Sequence, residues 1–236
     1  MIIDCHSHIL PGIDDGASDV NMSMAMLDMM SEQGIDMIIS TSHYYPEEQS
    51  IESFLSKRDA AYTSLMNKAE DKMIPTIKLG AEVLFSPILI NHPDLHELCI
   101  SGTDYLLLEL PYRELDTKLI DNIEKFIYSA PGIYPIIAHA ERYLNYTSIE
   151  SIEEILDMDV LAQINASSIV NRYTRKIALK MIKNSYIHII GTDAHNITSR
   201  APMMDEAKKV LDRKISKNVF LNFMDNAKMI LDNADI

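Results

Sequence analysis

Cysteine is scarce in this chain: Cys5 and Cys99 are the only two among 236 residues. They show neither metal-type pair spacing nor a disulfide framework. Neither opens a Cys-x5-Arg loop, because Pro11 and Tyr105 stand where the arginine would be, so a cysteine nucleophile is not expected. No apolar run approaches the roughly 20 residues that cross a bilayer, and membrane insertion is not expected. Met1-Ile2-Ile3 enters strand-like sequence without the basic segment of a signal peptide. A cytoplasmic location is expected. Basic residues are few, 21 Lys plus Arg against 35 Asp plus Glu, and the formal charge of −14 has the wrong sign for gripping polyphosphate backbones. No nucleic-acid partner is expected. Repeats, low-complexity tracts and linkers are lacking as well, so residues 1–236 read as one domain.

What remains is an ordinary globular composition, 47% hydrophobic and 24% charged, with a regular order of elements. Strand-like stretches fall at Ile2 to His6, Met37 to Ser42, Thr76 to Val83, Tyr105 to Leu110, Tyr134 to His139, Val160 to Asn165 and Tyr186 to Thr192. Helical patterns lie between them at Val20 to Gln33, Ile51 to Lys72, Lys118 to Ala130, Ile149 to Asp157, Thr174 to Asn184 and Met203 to Asp212, with Ser18, Ser50, Asp116 and Ser148 as N-cap or near-cap residues. The methionines from Met22 to Met30 are read as core filling for the first helix. Strict alternation means βαβ units and a parallel α/β sheet. Such a sheet either closes into a barrel or lies open and doubly wound.

Ligand-type side chains decide between these. His6 and His8, Asp15, His43, Glu82, Glu109, His139, Asp193 and His195 each follow or close an apolar strand-like run. Strands from both ends of the chain contribute, and a closed barrel presents all strand C-termini on one face. Closure and a polynuclear metal site are therefore expected. His6 and His8, two apart on a strand, point to the same side. Glu82 and Glu109 end buried strands where an unpaired charge is costly, so a cation is expected beside them. Oxygen and nitrogen ligands without thiolate suit Mn, Fe or Zn. Arg142 and Arg200 follow His139 and His195 in loops on the same face, where guanidinium groups hold phosphate oxygens with paired hydrogen bonds. Asn165 ends the strand without a charged ligand and is read as fixing a water or a ligand. Tyr44 and Tyr45 are placed at the mouth, where packing is an equal role. His92 and His96 are read as a solvated helix, and His188 as packed mid-strand.

The segments Ile3-Asp4-Cys5-His6-Ser7-His8 through Asp14-Asp15-Gly16, Gly80-Ala81-Glu82, His139-Ala140-Glu141-Arg142-Tyr143 and Gly191-Thr192-Asp193-Ala194-His195-Asn196 resemble the PHP (polymerase and histidinol phosphatase) superfamily. More narrowly they resemble its bacterial CpsB/CapC-type protein-tyrosine phosphatases, which regulate capsule and exopolysaccharide synthesis. The resemblance implies a distorted (β/α)7 barrel, a TIM-like PHP fold, with three divalent metals: Mn2+ first, Fe or Zn as alternatives. One metal would use His6, His8, Glu82 and Asp193; a second Glu82, Glu109 and His139; a third Asp15, His43 and His195. Arg142 and Arg200 would match the phosphate-binding arginines. Ala140 stands where the family often has proline, and Ser167 where glycine is frequent; neither is a ligand position.

The implied reaction is metal-assisted hydrolysis of phosphotyrosine on the tail of a bacterial tyrosine kinase. Water would attack phosphorus in line while arginines neutralise the equatorial oxygens. A tyrosine phenolate, with a conjugate pKa of about 10, leaves with little acid help, so aryl phosphates are expected to be preferred. The competing readings are a small-molecule phosphomonoesterase such as a histidinol phosphatase, and a non-catalytic PHP scaffold that binds a kinase tail.

Overall fold

The apolar runs fold as strands of one curled parallel layer in the computed structural model, which describes residues 1–70, 72–130 and 132–236. In chain order the strands are β1 (Ile3–Ser7), β2 (Met37–Ser40), β3 (His43–Tyr44), β4 (Thr76–Leu79), β5 (Glu82–Leu84), β6 (Tyr105–Glu109), β7 (Tyr134–Ile137), β8 (Leu161–Asn165) and β9 (Ile189–Gly191). β1, β2 and β4 pair in that order, as do β3, β5, β6, β7, β8 and β9, and every pair is parallel. β2 runs on into β3, and β4 into β5. Across these joints Gly80 N donates to Ser40 O (2.9 Å) and Glu82 N to Thr41 O (3.1 Å). The nine segments thus act as the seven staves expected from the sequence, and the fold is a distorted (β/α)7 barrel.

The ring closes between β9 and β1. Asp193 N donates to His6 O (2.8 Å) and His8 N to Ala194 O (2.9 Å). Beneath them Asp4, fully buried, accepts from Thr192 N (2.7 Å) and Thr192 Oγ1 (2.6 Å). These bonds stand in for a ladder that the distorted seam does not complete.

Helices cover the outside: α1 (Val20–Glu32), α2 (Ile51–Ala69), α3 (Thr117–Ser129), α4 (Ile149–Leu156), α5 (Ala166–Val170), α6 (Arg175–Lys183), α7 (Met204–Lys214) and α8 (Lys217–Leu231). Ser50, Asp116 and Ser148 cap α2, α3 and α4 through their side chains, each contributing about 1 kcal/mol. Asp19, next to Ser18, caps α1. Met24, Met26 and Met30 of α1 are buried in the core as expected. The helix expected to reach Lys72 stops at Ala69, and position 71 of that expectation lies outside the described residues. β5 is followed by two one-turn helices, Pro87–Leu89 and Leu95–Leu98, rather than a full α-helix. His92 therefore lies outside any helix, while His96 is exposed within the second turn. α8 was not among the expected helices. It buries Phe220, Phe223, Met224, Ala227 and Ile230 and packs over β1 and β9, sealing the seam from outside. Among the described residues, no helix is long and apolar enough to cross a membrane.

Candidate metal centre

Side chains at the C-terminal ends of the strands converge inside this ring. Glu82, at the start of β5, is 1% exposed and sits at the centre. Its Oε2 lies 3.2 Å from His6 Nε2, 3.1 Å from His8 Nε2 and 3.1 Å from His43 Nδ1, while its Oε1 lies 2.8 Å from His139 Nε2. Glu109 Oε1 is 3.5 Å from His139 Nε2. Asp193 Oδ1 is 3.6 Å from both His6 Nε2 and His8 Nε2. Asp15 Oδ1 lies 3.4 Å from His43 Nε2 and 3.3 Å from His195 Nε2. All the residues singled out as ligands thus reach one cluster. Within it three sets have the spacing of a metal-binding group: His8, Asp15, His43 and His195; His6, His8 and Asp193; and His43, Glu82 and Glu109.

The backbone is shaped for this convergence. His139 and Asp193 adopt left-handed conformations, with φ of 31° and 51°, which are uncommon for non-glycine residues and turn each chain sharply at its strand end. Gly191 lets β9 approach β1, since a Cβ there would lie 2.5 Å from His6 Cβ.

The protons on the imidazoles are fixed by partners behind them. His6 Nδ1 donates to Gln163 Oε1 (3.1 Å), His8 Nδ1 to Asp14 Oδ2 (2.9 Å) and His195 Nδ1 to Asp193 O (3.0 Å). Each assignment leaves Nε2 as a bare lone pair facing the cluster. His6 Nε2 and His8 Nε2 then face each other at 3.0 Å, which is repulsive for two lone pairs unless positive charge lies between them. Buried His43 Nδ1, His195 Nε2 and Glu82 Oε2 likewise have no hydrogen-bond partner, unusual for polar atoms away from water. The donor set fits divalent cations.

The electrostatics agree. With protons on the Nε2 atoms in place of a cation, burial still opposes ionisation of Glu82, but positive charge on His6 and hydrogen bonds from His139, His6 and His8 hold its carboxyl well below the usual carboxylate range. Burial also opposes a charge on His8, yet hydrogen bonds to Asp14 and Glu82 push its pKa up to about 10. Lone-pair geometry and raised basicity mark the same thing: a position that demands positive charge, from a proton if nothing else.

Arg142 and Arg200, both about one-third exposed, reach in from the rim. Arg142 Nη1 donates to Asp193 Oδ2 (3.1 Å) and Arg200 Nη2 to Asp193 Oδ1 (2.8 Å), with Arg200 Nη1 3.4 Å from Asp15 Oδ2. The Tyr112 ring lies under the Arg142 guanidinium at 5.1 Å, and its hydroxyl is 3.2 Å from His139 Nε2. Asn165 Nδ2 donates to Asp193 Oδ2 (2.8 Å). Tyr45 stacks on His43 with ring centroids 5.3 Å apart, whereas Tyr44 is buried against Phe54. His188 is half-buried just before β9, where its Nδ1 accepts from Ala162 N. The expected residues leave out Asp14, Gln163 and Tyr112. Gln163 has a signal in the sequence: with Asn165 it places polar residues two apart on an otherwise apolar buried strand.

A parallel barrel with a histidine and carboxylate cluster at its C-terminal rim defines the class of TIM-like barrel hydrolases. The family "Capsular polysaccharide synthesis, CpsB/CapC" matches residues 2–232, and the chain belongs to that family. It is 30% identical to the tyrosine-protein phosphatase CpsB of Streptococcus pneumoniae, with 98% of each chain covered. It is 28% identical to the tyrosine-protein phosphatase YwqE of Bacillus subtilis, covering 100% of this chain and 93% of YwqE. Among solved structures, one of those of YwqE from Bacillus subtilis and CpsB from Streptococcus pneumoniae, described as unique metal-dependent tyrosine phosphatases, superposes with a TM-score of 0.83 at 24% identity, covering 100% and 96% of the two chains. The histidinol phosphate phosphatase of Lactococcus lactis gives 0.57 at 13% identity, covering 90% and 93%, a likeness of fold.

Proposed function

We propose that residues 1–236 form a single metallophosphatase domain that hydrolyses phosphotyrosine on the tail of a bacterial tyrosine kinase controlling capsule or exopolysaccharide synthesis, in the cytoplasm. The observation that carries the chemistry is the set of Nε2 lone pairs, fixed by their Nδ1 partners, turned on Glu82, Asp15 and Asp193. The tyrosine specificity is supported by the CpsB and YwqE relatives. Three divalent cations fit the donor set, Mn2+ first. His6, His8, Glu82 and Asp193 would hold one, Glu82, Glu109 and His139 a second, and Asp15, His43 and His195 a third.

When bound, the cations supply Lewis-acid polarisation of the phosphate and acidify the attacking water. The protein's residues do the rest. Arg142 and Arg200 use the guanidinium donors not spent on Asp193 to hold phosphate oxygens, and Asp193 keeps both arginines aimed at the same point. Tyr112 supports Arg142 from below.

Phosphate release from a phosphotyrosine peptide by metal-stripped protein is expected only after Mn2+ or another divalent metal is restored. Preferential turnover of histidinol phosphate would replace the protein-tyrosine reading with a small-molecule one. Release from neither substrate despite metal binding would leave only a scaffold.

Gln163 gives a second test. It is fully buried; its Oε1 accepts from His6 Nδ1 and His139 N (2.7 Å), and its Nε2 donates to Asn165 Oδ1 (2.9 Å). One amide thus fixes His6, His139 and Asn165. Gln163→Leu is expected to weaken Mn2+ affinity about 10- to 100-fold, read by direct metal titration, while Gln163→Glu, which keeps the acceptor oxygen, retains most of it. Equal affinities for the two variants would remove Gln163 from this role.

A further inference from the structure

Arg142 and Arg200 reach the same carboxylate, but different scaffolds carry them. Arg142 belongs to a short helical stretch, Ala140–Asn145, where its N donates to His139 O (2.8 Å) and its guanidinium lies over the Tyr112 ring. Arg200 lies in the loop between β9 and α7, in neither helix nor strand. A loose loop would scatter a long side chain over many conformations, so a guanidinium with a fixed target needs its backbone held.

Asn196 supplies that hold. Its Oδ1 accepts from Arg200 N (3.0 Å), Thr198 N (2.9 Å) and Thr198 Oγ1 (3.1 Å), the local bonding that suits asparagine to tight loops. In return Arg200 O accepts from His195 N (2.9 Å) and Asn196 N (3.3 Å). Both backbone polar groups of Arg200 are thus tied to two consecutive residues, the first of them in the metal-ligand cluster. The loop folds back on itself and sets the Arg200 guanidinium on Asp193 Oδ1 (2.8 Å). Its exit is fixed separately. Pro202 is buried, and Gln33, after α1, donates from Nε2 to Pro202 O (2.7 Å) while its Oε1 accepts from Met204 N (2.8 Å). Among the described residues, Asn196 Oδ1 is the only acceptor for Arg200 N. Thr198 and Ser199 are exposed, so water can take the place of a lost acceptor, and a substitution at Asn196 loosens the loop without unfolding the barrel.

Resting on the phosphatase reading above and on the phosphate role it gives Arg200, we infer that Asn196 is a positioning residue for Arg200. Its side-chain amide folds residues 196–200 so that the guanidinium meets the phosphoryl group beside His195.

The test uses N196A, N196D, R200A and N196A/R200A; aspartate keeps the acceptor oxygen and alanine does not. In the metal-stripped proteins, amide hydrogen exchange of residues 196–201, read by mass spectrometry, should quicken in N196A and stay near wild type in N196D. In the Mn2+-loaded proteins, N196A should lower kcat/KM for p-nitrophenyl phosphate by about tenfold and raise the inhibition constant of inorganic phosphate by a similar factor. Bound metal per chain should not change, and N196D should recover most of both losses. On the R200A background N196A should add nothing, because its effect passes through that arginine. Unchanged exchange in N196A, wild-type phosphate inhibition in N196A, or the same loss repeated on the R200A background would each overturn the inference. If the wild type hydrolyses no phosphoester, the phosphatase reading falls by itself, and equilibrium dialysis of inorganic phosphate against the Mn2+-loaded proteins decides Asn196. Binding weakened by N196A only where Arg200 is present supports the role, and binding indifferent to N196A overturns it.

Discussion

Glu82→Gln is expected to lower metal-dependent turnover by on the order of 10³-fold or more, the largest effect of any single substitution at the proposed centre. The reason lies in its position. One carboxylate touches His6, His8, His43 and His139 through its two oxygens, and in the proposed assignment it is shared between two cations. The amide keeps the shape but removes the negative charge and replaces one ligand oxygen with an N–H2 that cannot coordinate a cation and instead ties up the imidazole lone pairs by donating to them. The backbone of Glu82 stays tied to Thr41 and Ser42, so the barrel joint survives. Two readouts check the idea together: kcat at saturating Mn2+, and bound metal per chain by elemental analysis. Both should fall. Turnover within tenfold of wild type, with full metal content, would take Glu82 out of the centre.

The strand ends were legible because the barrel imposes them. Each apolar run stops where a polar side chain begins, and parallel closure brings all those stops to one face. The breaks inside two staves, at Thr41-Ser42 and Gly80-Ala81, were not legible, because they answer to a change of hydrogen-bonding partner across the sheet rather than to any local propensity. α8 has a helical pattern of its own at Phe220, Phe223, Ala227 and Ile230, but no strand precedes it, so strand and helix alternation does not announce it. The region after β5 lacks a helix where alternation calls for one. Pro87 and Pro93 cut that stretch short, and Asn91 takes a positive φ of 60°, which together favour single turns.

Within the site, adjacent carboxylates show the limit most clearly. Asp14 and Asp15 share one turn and one composition, yet Asp14 is drawn under His8 and receives His43 N as well (2.9 Å), with its side chain 3% exposed against 63% for Asp15. Only the path of the chain through Gly16 separates the two roles. A Cβ at that glycine would meet His8 O at 2.3 Å, so the turn presses close against β1 and pushes Asp14 inward. The polar support behind the ligands escaped for a different reason: a neutral amide such as Gln163 carries no ligand chemistry of its own, and matters only through the atoms it holds in place.

The arginines supply the second large effect. Arg142→Ala and Arg200→Ala are each expected to reduce kcat/KM by about 10²-fold, because charge develops on the phosphoryl oxygens within reach of both guanidinium groups. Lysine at either position keeps the charge and loses the paired geometry, so it should recover only part of the loss. Both arginines also lean on Asp193, through separate oxygens, and the double variant should therefore lose less than the product of the two single effects. Metal content distinguishes this role from a structural one. The guanidinium groups are not ligands, so bound metal per chain should stay at the wild-type level while inhibition by inorganic phosphate weakens. A fall in metal content equal to the fall in activity would mean that the arginines act by holding Asp193 rather than the phosphate, and phosphate recognition would then have to rest on the cations alone.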